Sequence, residues 1–266
     1  MMFLWQLSSI LCGASVGLTG VYVVGFRMPF IGVTIAHAAM AGAVFAYIFG
    51  LPLGPTALLM AIIATAGVAW LTSHYTLADL NTVTSILLSI TMGLTFLGIG
   101  LNKGDMSPIL GLMWGSFLFI KPSQVYIMVL LAIVLVIFSI VFRRELEAIL
   151  FSRSISRVSG INDSHIMVLL LILTAFIITL YLQIVGGLMV YSLLTNPASS
   201  AFEFGKNMKL VKLLSVGFGI LSTLVGFWTS YIFDLPTGAC IVLMSGLIYF
   251  VSVILRRWFA EDRNKS

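Results

Sequence analysis

His37 is the one histidine of this chain that falls in the middle of a long apolar segment, PFIGVTIAHAAMAGAVFAYIFG. A neutral imidazole there serves either as a ligand for zinc and other first-row metals or as a hydrogen-bond partner for a neighbouring helix. His74 and His165 fall at the ends of apolar segments, where water solvates them. Met28 and Met40 bring soft sulfur near His37, but in a chain with 13 methionines packing is the commoner use. Thr34 shares the segment and is a candidate for lining a polar path. Asn196, Ser199 and Ser200 flank Pro197 in TNPASSA. They either line a path too, or satisfy carbonyls that a proline leaves free. Cys12 and Cys240 both lie in apolar segments and read as small buried side chains, with no spacing for a disulfide or zinc cluster.

Other chemistries lack their residues. No G-x-x-x-x-G-K-[ST] loop is present, so ATP hydrolysis is expected on another chain. Neither H-E-x-x-H nor G-x-S-x-G occurs, which removes the case for an intramembrane protease. Asp79, Asp105, Glu145, Glu147, Asp163, Asp234, Glu261 and Asp262 fall in loops or tails, and Glu203 at a segment end. A carboxylate at the bilayer centre costs ~3 kcal/mol and is kept where it works. Its absence counts against a proton- or sodium-driven carrier and for a permease moved by a companion chain.

The elements that must position these residues are helices in lipid. Hydrophobic residues make up 60% of the chain and charged ones 9%, with mean hydropathy +1.14. An apolar helix of ~20 residues crosses the ~30 Å hydrocarbon core. The segments are apolar all round and lack the alternation of barrel strands. The expected fold is therefore all-α and polytopic, one transmembrane permease domain over residues 1–266. Spans are expected near 7–26, 29–50, 53–72, 82–101, 122–142, 166–183, 185–203, 209–231 and 237–256. Segment 107–120, SPILGLMWGSFLFI, is short for a crossing and reads as re-entrant or interfacial, leaving about 8–9 transmembrane helices. The opening MMFLWQLSSILCGASVG has no basic flank and reads as the first helix, not a cleaved signal. Pro197 should break or kink its helix, as a device of transport or as a structural bend. Gly93, Gly98, Gly100, Gly186, Gly187, Gly217, Gly219 and Gly226 read mainly as close helix packing. No internal repeat or low-complexity stretch is visible.

Charge sets the orientation. Alternation of nine spans puts Arg27, Arg143, Arg144, Arg153, Arg157, Lys206, Lys209, Lys212, Arg256, Arg257, Arg263 and Lys265 on one face, and only Lys103 and Lys121 opposite. That face should be cytoplasmic, with the C-terminus inside a plasma or inner membrane. The net charge of +5 therefore marks topology anchors and no nucleic-acid surface. The longest polar interruption, RRELEAILFSRSISRVSGINDSH (about 143–165), lies on this face. It carries a short helical pattern followed by turn residues. It either packs into a cleft on a cytoplasmic partner or is a solvated loop.

At this loop the chain resembles the ABC-3 permeases, the membrane subunits of zinc, manganese and iron ABC importers. GLTGVYVVGFRMPFIGVTIAHAAMAG is similar to the family's Gly-rich helix, basic residue and F-G-D-x-[IL]-[SA]-H-[AS] run. LGLMWGSFLFI resembles a Leu-x-Gly-Ser element, and FSRSISRVSGI keeps the spacing of F-D-P-E-x-A-x-x-x-G-I. VGGLMVYSLLTNPASSAF resembles V-G-x-L-L-V-x-x-L-L-x-x-P-A-A-x-A, and FDLPTGACIVLMSG a D-x-P-x-G-[AP] element. Each piece is weak alone; their order along nearly the whole chain gives the match its specificity.

The resemblance implies a type II ABC importer-like permease that performs no chemistry on its cargo. A divalent metal would be substrate, not cofactor, and would pass by alternating access. A second permease copy, cytoplasmic ABC ATPase subunits and an extracellular metal-binding protein are the implied partners besides the bilayer. It also implies that Phe151 to Ile161 form an ATPase-coupling helix, with Phe151, Gly160 and Ile161 as in the family. Ser152, Ser154 and Ser156 replace the family's Asp, Glu and Ala, and Arg153 and Arg157 make the handle basic, so an acidic groove is expected on the ATPase. The family's acidic residue four positions before the histidine is Val33 here, so half of a carboxylate–imidazole grip around His37 is missing. The competing readings are a permease for a metal chelate, an ion-coupled secondary carrier, and a membrane-embedded assembly subunit that moves nothing.

Overall fold

The computed structural model describes residues 2–74, 77–102, 104 and 120–265. Their elements are all helices: α1 (Met2–Gly25), α2 (Pro29–Phe49), α3 (Leu53–His74), α4 (Leu77–Leu101), α5 (Pro122–Val141), α6 (Arg143–Phe151), α7 (Arg153–Val158), α8 (Asp163–Val185), α9 (Gly187–Phe204), α10 (Met208–Phe233) and α11 (Thr237–Lys265). Each of the nine expected spans coincides with a helix, within five residues at each end except for α11, which runs nine residues past the expected 256. Eight are long and apolar enough to cross a membrane. The exception is α9, only 18 residues long and carrying the polar TNPASSA run. The short piece 107–119 lies outside the described residues.

Local sequence sets the helix ends. Pro29 opens α2, where its missing N–H is no loss, and Gly50 closes it at φ 66° with its N–H turned back to Ala46 and Tyr47. Asn162 and Asn207 cap α8 and α10 by accepting from the backbone N–H of His165 and Leu210.

The interior is built from α1, α2, α8 and α9. Helix α9 packs against α1, α2, α8, α10 and α11. Helices α3, α4, α5 and α11 turn large apolar side chains outward, among them Trp70, Phe96, Ile137 and Phe250. That is the surface expected against lipid, where apolar exposure carries no cost.

Pro197 corrects half of an expectation. The sequence predicts a break or kink, and α9 runs from Gly187 to Phe204 without a break. Proline removes the bond to Leu193, but its ring is buried among neighbouring helices that hold the geometry. Packing on several sides of α9 outweighs the loss of one intrahelical bond.

Contacts between helix ends fix the topology. Tyr22, near the end of α1, meets Ser139, near the end of α5, through their hydroxyls. Lys212, at the start of α10, lies 5.3 Å from the Tyr22 ring and 3.7 Å from Glu147 on α6. Arg256 on α11 pairs with Glu203 at the end of α9. The loops holding Arg27, Arg143, Arg144, Lys206 and Lys209 therefore share one face with the coupling segment, as alternation predicts. Helices α2 and α4 run parallel, joined at Thr34–Thr84 and at His37–Thr95. So α4 ends, and α5 begins, on the face opposite the basic one.

Candidate functional site

The sequence places its chemistry in two groups: polar residues inside the spans, and the segment between α5 and α8. Helix α2 carries the first. Between Pro29 and Val44 the residues that remain open are Pro29, Phe30, Val33 and His37. Their spacing by three and four puts them on one face, because α3, α4, α8 and α9 cover the rest of the helix. Val33 and His37 thus share an open stripe in the span. His37 is half-buried and its Nδ1 is buried with no hydrogen-bond partner. Its carbonyl oxygen meets Thr95 Oγ1 at 3.5 Å, a long contact that leaves the ring uncommitted.

Thr34 sits one turn away but faces inward, with no exposure. Its hydroxyl proton is shared between the carbonyls of Phe30 at 2.8 Å and Thr84 at 3.0 Å, which ties α2 to α4. Met28 and Met40 are buried in the core, and the sulfur of Met40 lies against Gly187 at the start of α9.

Asn196 and Ser199 on α9 are half-buried. Asn196 Nδ2 donates to Ser245 Oγ of α11 at 3.0 Å, while Ser200 returns its hydroxyl to the Asn196 carbonyl at 2.8 Å. Asn196 thus belongs to the α9–α11 interface, whereas His37 opens from α2. Leu194 lies against Gly32 and Gly187 against Met40, so α9 runs antiparallel to α2. Asn196 is therefore displaced toward the basic face from the level of His37, and no described contact joins the two. Among the described residues there is no group of three His, Cys, Asp or Glu side chains able to hold a metal ion. Cys12 and Cys240 are free and buried.

The coupling segment differs from a single helix over 151–161. Helix α6 stops at Phe151, Ser152 is extended at φ −162° and ψ 119°, and α7 covers only Arg153–Val158. Ser156 is buried and anchors the turn: its carbonyl accepts from the N–H of Ile161 at 3.0 Å, across Gly160 at φ 79°. This is the glycine-closed end that only a residue without a Cβ adopts freely. Ile161 packs back on the core. Phe151, Ile155 and Val158 stand out instead, with Phe151 83% and Val158 90% exposed. Sequence reasoning named Phe151 with Arg153 and Arg157, whose side chains lie outside the description, and passed over Ile155 and Val158. The spacing of four and three was the signal that would have found them.

A second feature escaped the sequence. Glu147 accepts from Arg143 Nε at 3.0 Å and faces Lys212 at 3.7 Å. Arg143–Glu147 is legible as a pair four residues apart; Lys212 lies too far along the chain to be assigned.

Comparison with known proteins matches this architecture. The model of the ABC 3 transport family covers residues 1–256. The manganese transport system membrane protein MntC of Listeria monocytogenes is 24% identical over 250 residues, covering 93% of this chain and 88% of its own length. The high-affinity zinc uptake system membrane protein ZnuB of Haemophilus influenzae is 25% identical over 237 residues, covering 89% of this chain and 90% of its own. The structure of PsaBC from Streptococcus pneumoniae in complex with Fab superposes with TM-score 0.81 at 21% identity, over 94% of this chain and 89% of that one. With a family match over residues 1–256 and the same all-helical membrane fold, this chain belongs to the ABC 3 transport family.

Proposed function

We propose that this chain is the membrane permease of an ATP-driven importer for a divalent transition metal. It works as a pair of copies, driven by separate ATPase subunits bound to its basic face and loaded by an extracellular metal-binding protein. Relatives named for manganese and for zinc transport support the cargo class. The observation that carries the reading is the open stripe of α2, where His37 is half-buried inside the span and its buried Nδ1 has no partner. A buried polar nitrogen without a partner calls for a role, and an imidazole is a common ligand for these metals.

The basic face is cytoplasmic by the distribution of lysine and arginine, which puts the C-terminus inside. Val33 supplies no carboxylate beside His37, so each copy offers one neutral ligand. One imidazole holds an ion weakly, which suits a path that must release what it admits. Thr34 holds α2 against α4 behind this stripe, and Asn196 and Ser199 lie nearer the inner mouth. Phe151, Arg153, Arg157, Gly160 and Ile161 belong to the handle that the ATPase grips.

The test is uptake of radioactive manganese and zinc into vesicles holding the assembled importer. Uptake should require ATP, survive collapse of the ion gradients, and fall at least tenfold in His37→Ala, as expected for loss of a ligand worth ~1.4 kcal/mol or more. Wild-type rate and selectivity in His37→Ala would remove His37 from the path. Uptake driven by an ion gradient without an ATPase would end the reading altogether.

A further inference from the structure

A cavity of about 510 Å³ lies where α5 meets α6, lined by Ile140, Val141, Arg143, Arg144, Glu145 and Glu147. Helix α5 ends at Val141, and Arg143 and Arg144 follow at once, so the cavity straddles the edge of the apolar span. On one side Ile140 and Val141 are 67% and 63% exposed, an apolar wall toward lipid. On the other side stand two basic and two acidic side chains.

Two of those four are committed elsewhere: Arg143 bonds Glu147, and Glu147 also faces Lys212. Arg144 and Glu145 have no partner among the described residues. Glu145 lines the cavity with Oε2 buried and unpaired, so a ligand there meets the other edge of the carboxylate. A carboxylate without an ion pair beside an unpaired guanidinium is matched by a group that brings a donor to its accessible edge. That donor must be cationic or carry N–H, must sit beside a group that Arg144 attracts, and must continue into an apolar tail along Ile140 and Val141.

We propose that this cavity holds the headgroup of a primary-amine phospholipid, its phosphate on Arg144, its ammonium on Glu145 and its acyl chains along Ile140 and Val141. Two arginines and two glutamates make the lining neutral, which fits a zwitterion better than an anionic lipid. A choline headgroup has no N–H to give the Glu145 oxygen; an ethanolamine headgroup has three. Arginine suits the phosphate because its planar donors meet two oxygens at once. A cluster of bases just outside a span is a recognised lipid-reading arrangement; the paired acid narrows the choice of lipid. The site does not depend on what the permease carries.

The purified full chain, in detergent with equimolar phosphatidylethanolamine, phosphatidylcholine and phosphatidylglycerol, is assayed for retained lipid by native mass spectrometry. Phosphatidylethanolamine should be kept over phosphatidylcholine by about tenfold, the size of one charge-assisted hydrogen bond. Glu145→Gln should abolish that preference, and Arg144→Gln should lower retention of both lipids alike. Soluble phosphoethanolamine should compete poorly, because it lacks the chains that contact Ile140 and Val141. The proposal fails if phosphatidylcholine or phosphatidylglycerol is held as well in the wild type, or if folded Glu145→Gln keeps the preference. It also fails if the soluble headgroup binds as tightly as the lipid, or if a second copy covers the cavity, seen as cross-linking of Glu145→Cys between chains. Should both variants misfold, the three-lipid competition on the wild type decides.

Discussion

A methyl group at Gly13 of α1 would strike the backbone carbonyl of Gly219 of α10, and one at Gly17 would lie 2.7 Å from the carbonyl oxygen of Ser215. The two helices cross antiparallel with their backbones in contact, locked by Ser215 Oγ donating to the Gly17 carbonyl at 2.6 Å and Thr223 Oγ1 to that of Ser9 at 2.8 Å. Small residues permit this approach, and in lipid, packing and hydrogen bonds take over the work of the hydrophobic effect. Gly13→Leu should therefore cost ~3 kcal/mol or more, because the obstructing atoms are main chain and have no rotamer to retreat to. Gly217, two residues from Gly219 and so on another face of α10 with nothing near its missing Cβ, is the control. Thermal unfolding in detergent should drop sharply for Gly13→Leu and hardly move for Gly217→Ala.

Asn196→Leu tests the α9–α11 tie. It removes the bond to Ser245 and leaves that buried hydroxyl its intrahelical acceptor, the Val242 carbonyl. The expected loss is ~0.6 kcal/mol, with ~1.7 kcal/mol as the ceiling for such bonds between membrane helices. Stability measured by fluorescence-detected thermal scanning should show it. A much larger fall in metal uptake than in stability would give Asn196 a path-lining duty as well.

The eight long apolar helices and the shared basic face were legible because apolar length and the placement of lysine and arginine are local signals. At Pro197 the local rule allows a break, but the five helices that surround α9 hold it continuous. The open stripe of α2 shows the same boundary from the other side. The spacing of Val33 and His37 puts them on one face in any helix, but which face stays open depends on how α3, α4, α8 and α9 close round the rest. The coupling segment was legible as a helix with a glycine stop. Its break at Ser152 was hidden because the run EAILFSRSIS reads as continuous helix, while burial of Ser156 comes from tertiary packing.

Lys212 and Glu147 join the coupling segment to the spans. Through Lys212 the α6 carboxyl reaches α10, and through the Tyr22 ring it reaches α1. This contact is one route by which a displacement of α6 can reach both helices. Lys212→Met should lower ATP-driven uptake severalfold while the ATPase still binds, with a stability loss of no more than ~1 kcal/mol for a partly exposed pair. The exchange Lys212→Glu with Glu147→Lys should recover part of the uptake. Equal losses in the single and double variants would deny the pair any coupling role.

Phe151 and Val158 test how the handle is held. Apolar side chains this open at the ends of α6 and α7 offer contact area for the dry centre of an interface, while flanking charges steer approach. Phe151→Asp with Val158→Asp should therefore abolish co-purification of the ATPase at any salt concentration. Arg153→Glu with Arg157→Glu should weaken it most at low salt, because screening shrinks a steering charge and leaves apolar contact intact. Pull-down of the ATPase across a salt series separates the two contributions. If the charge reversal alone removed all binding and the apolar pair changed nothing, the grip would be electrostatic, as the basic sequence first led us to expect, and the exposed trio would need another occupant.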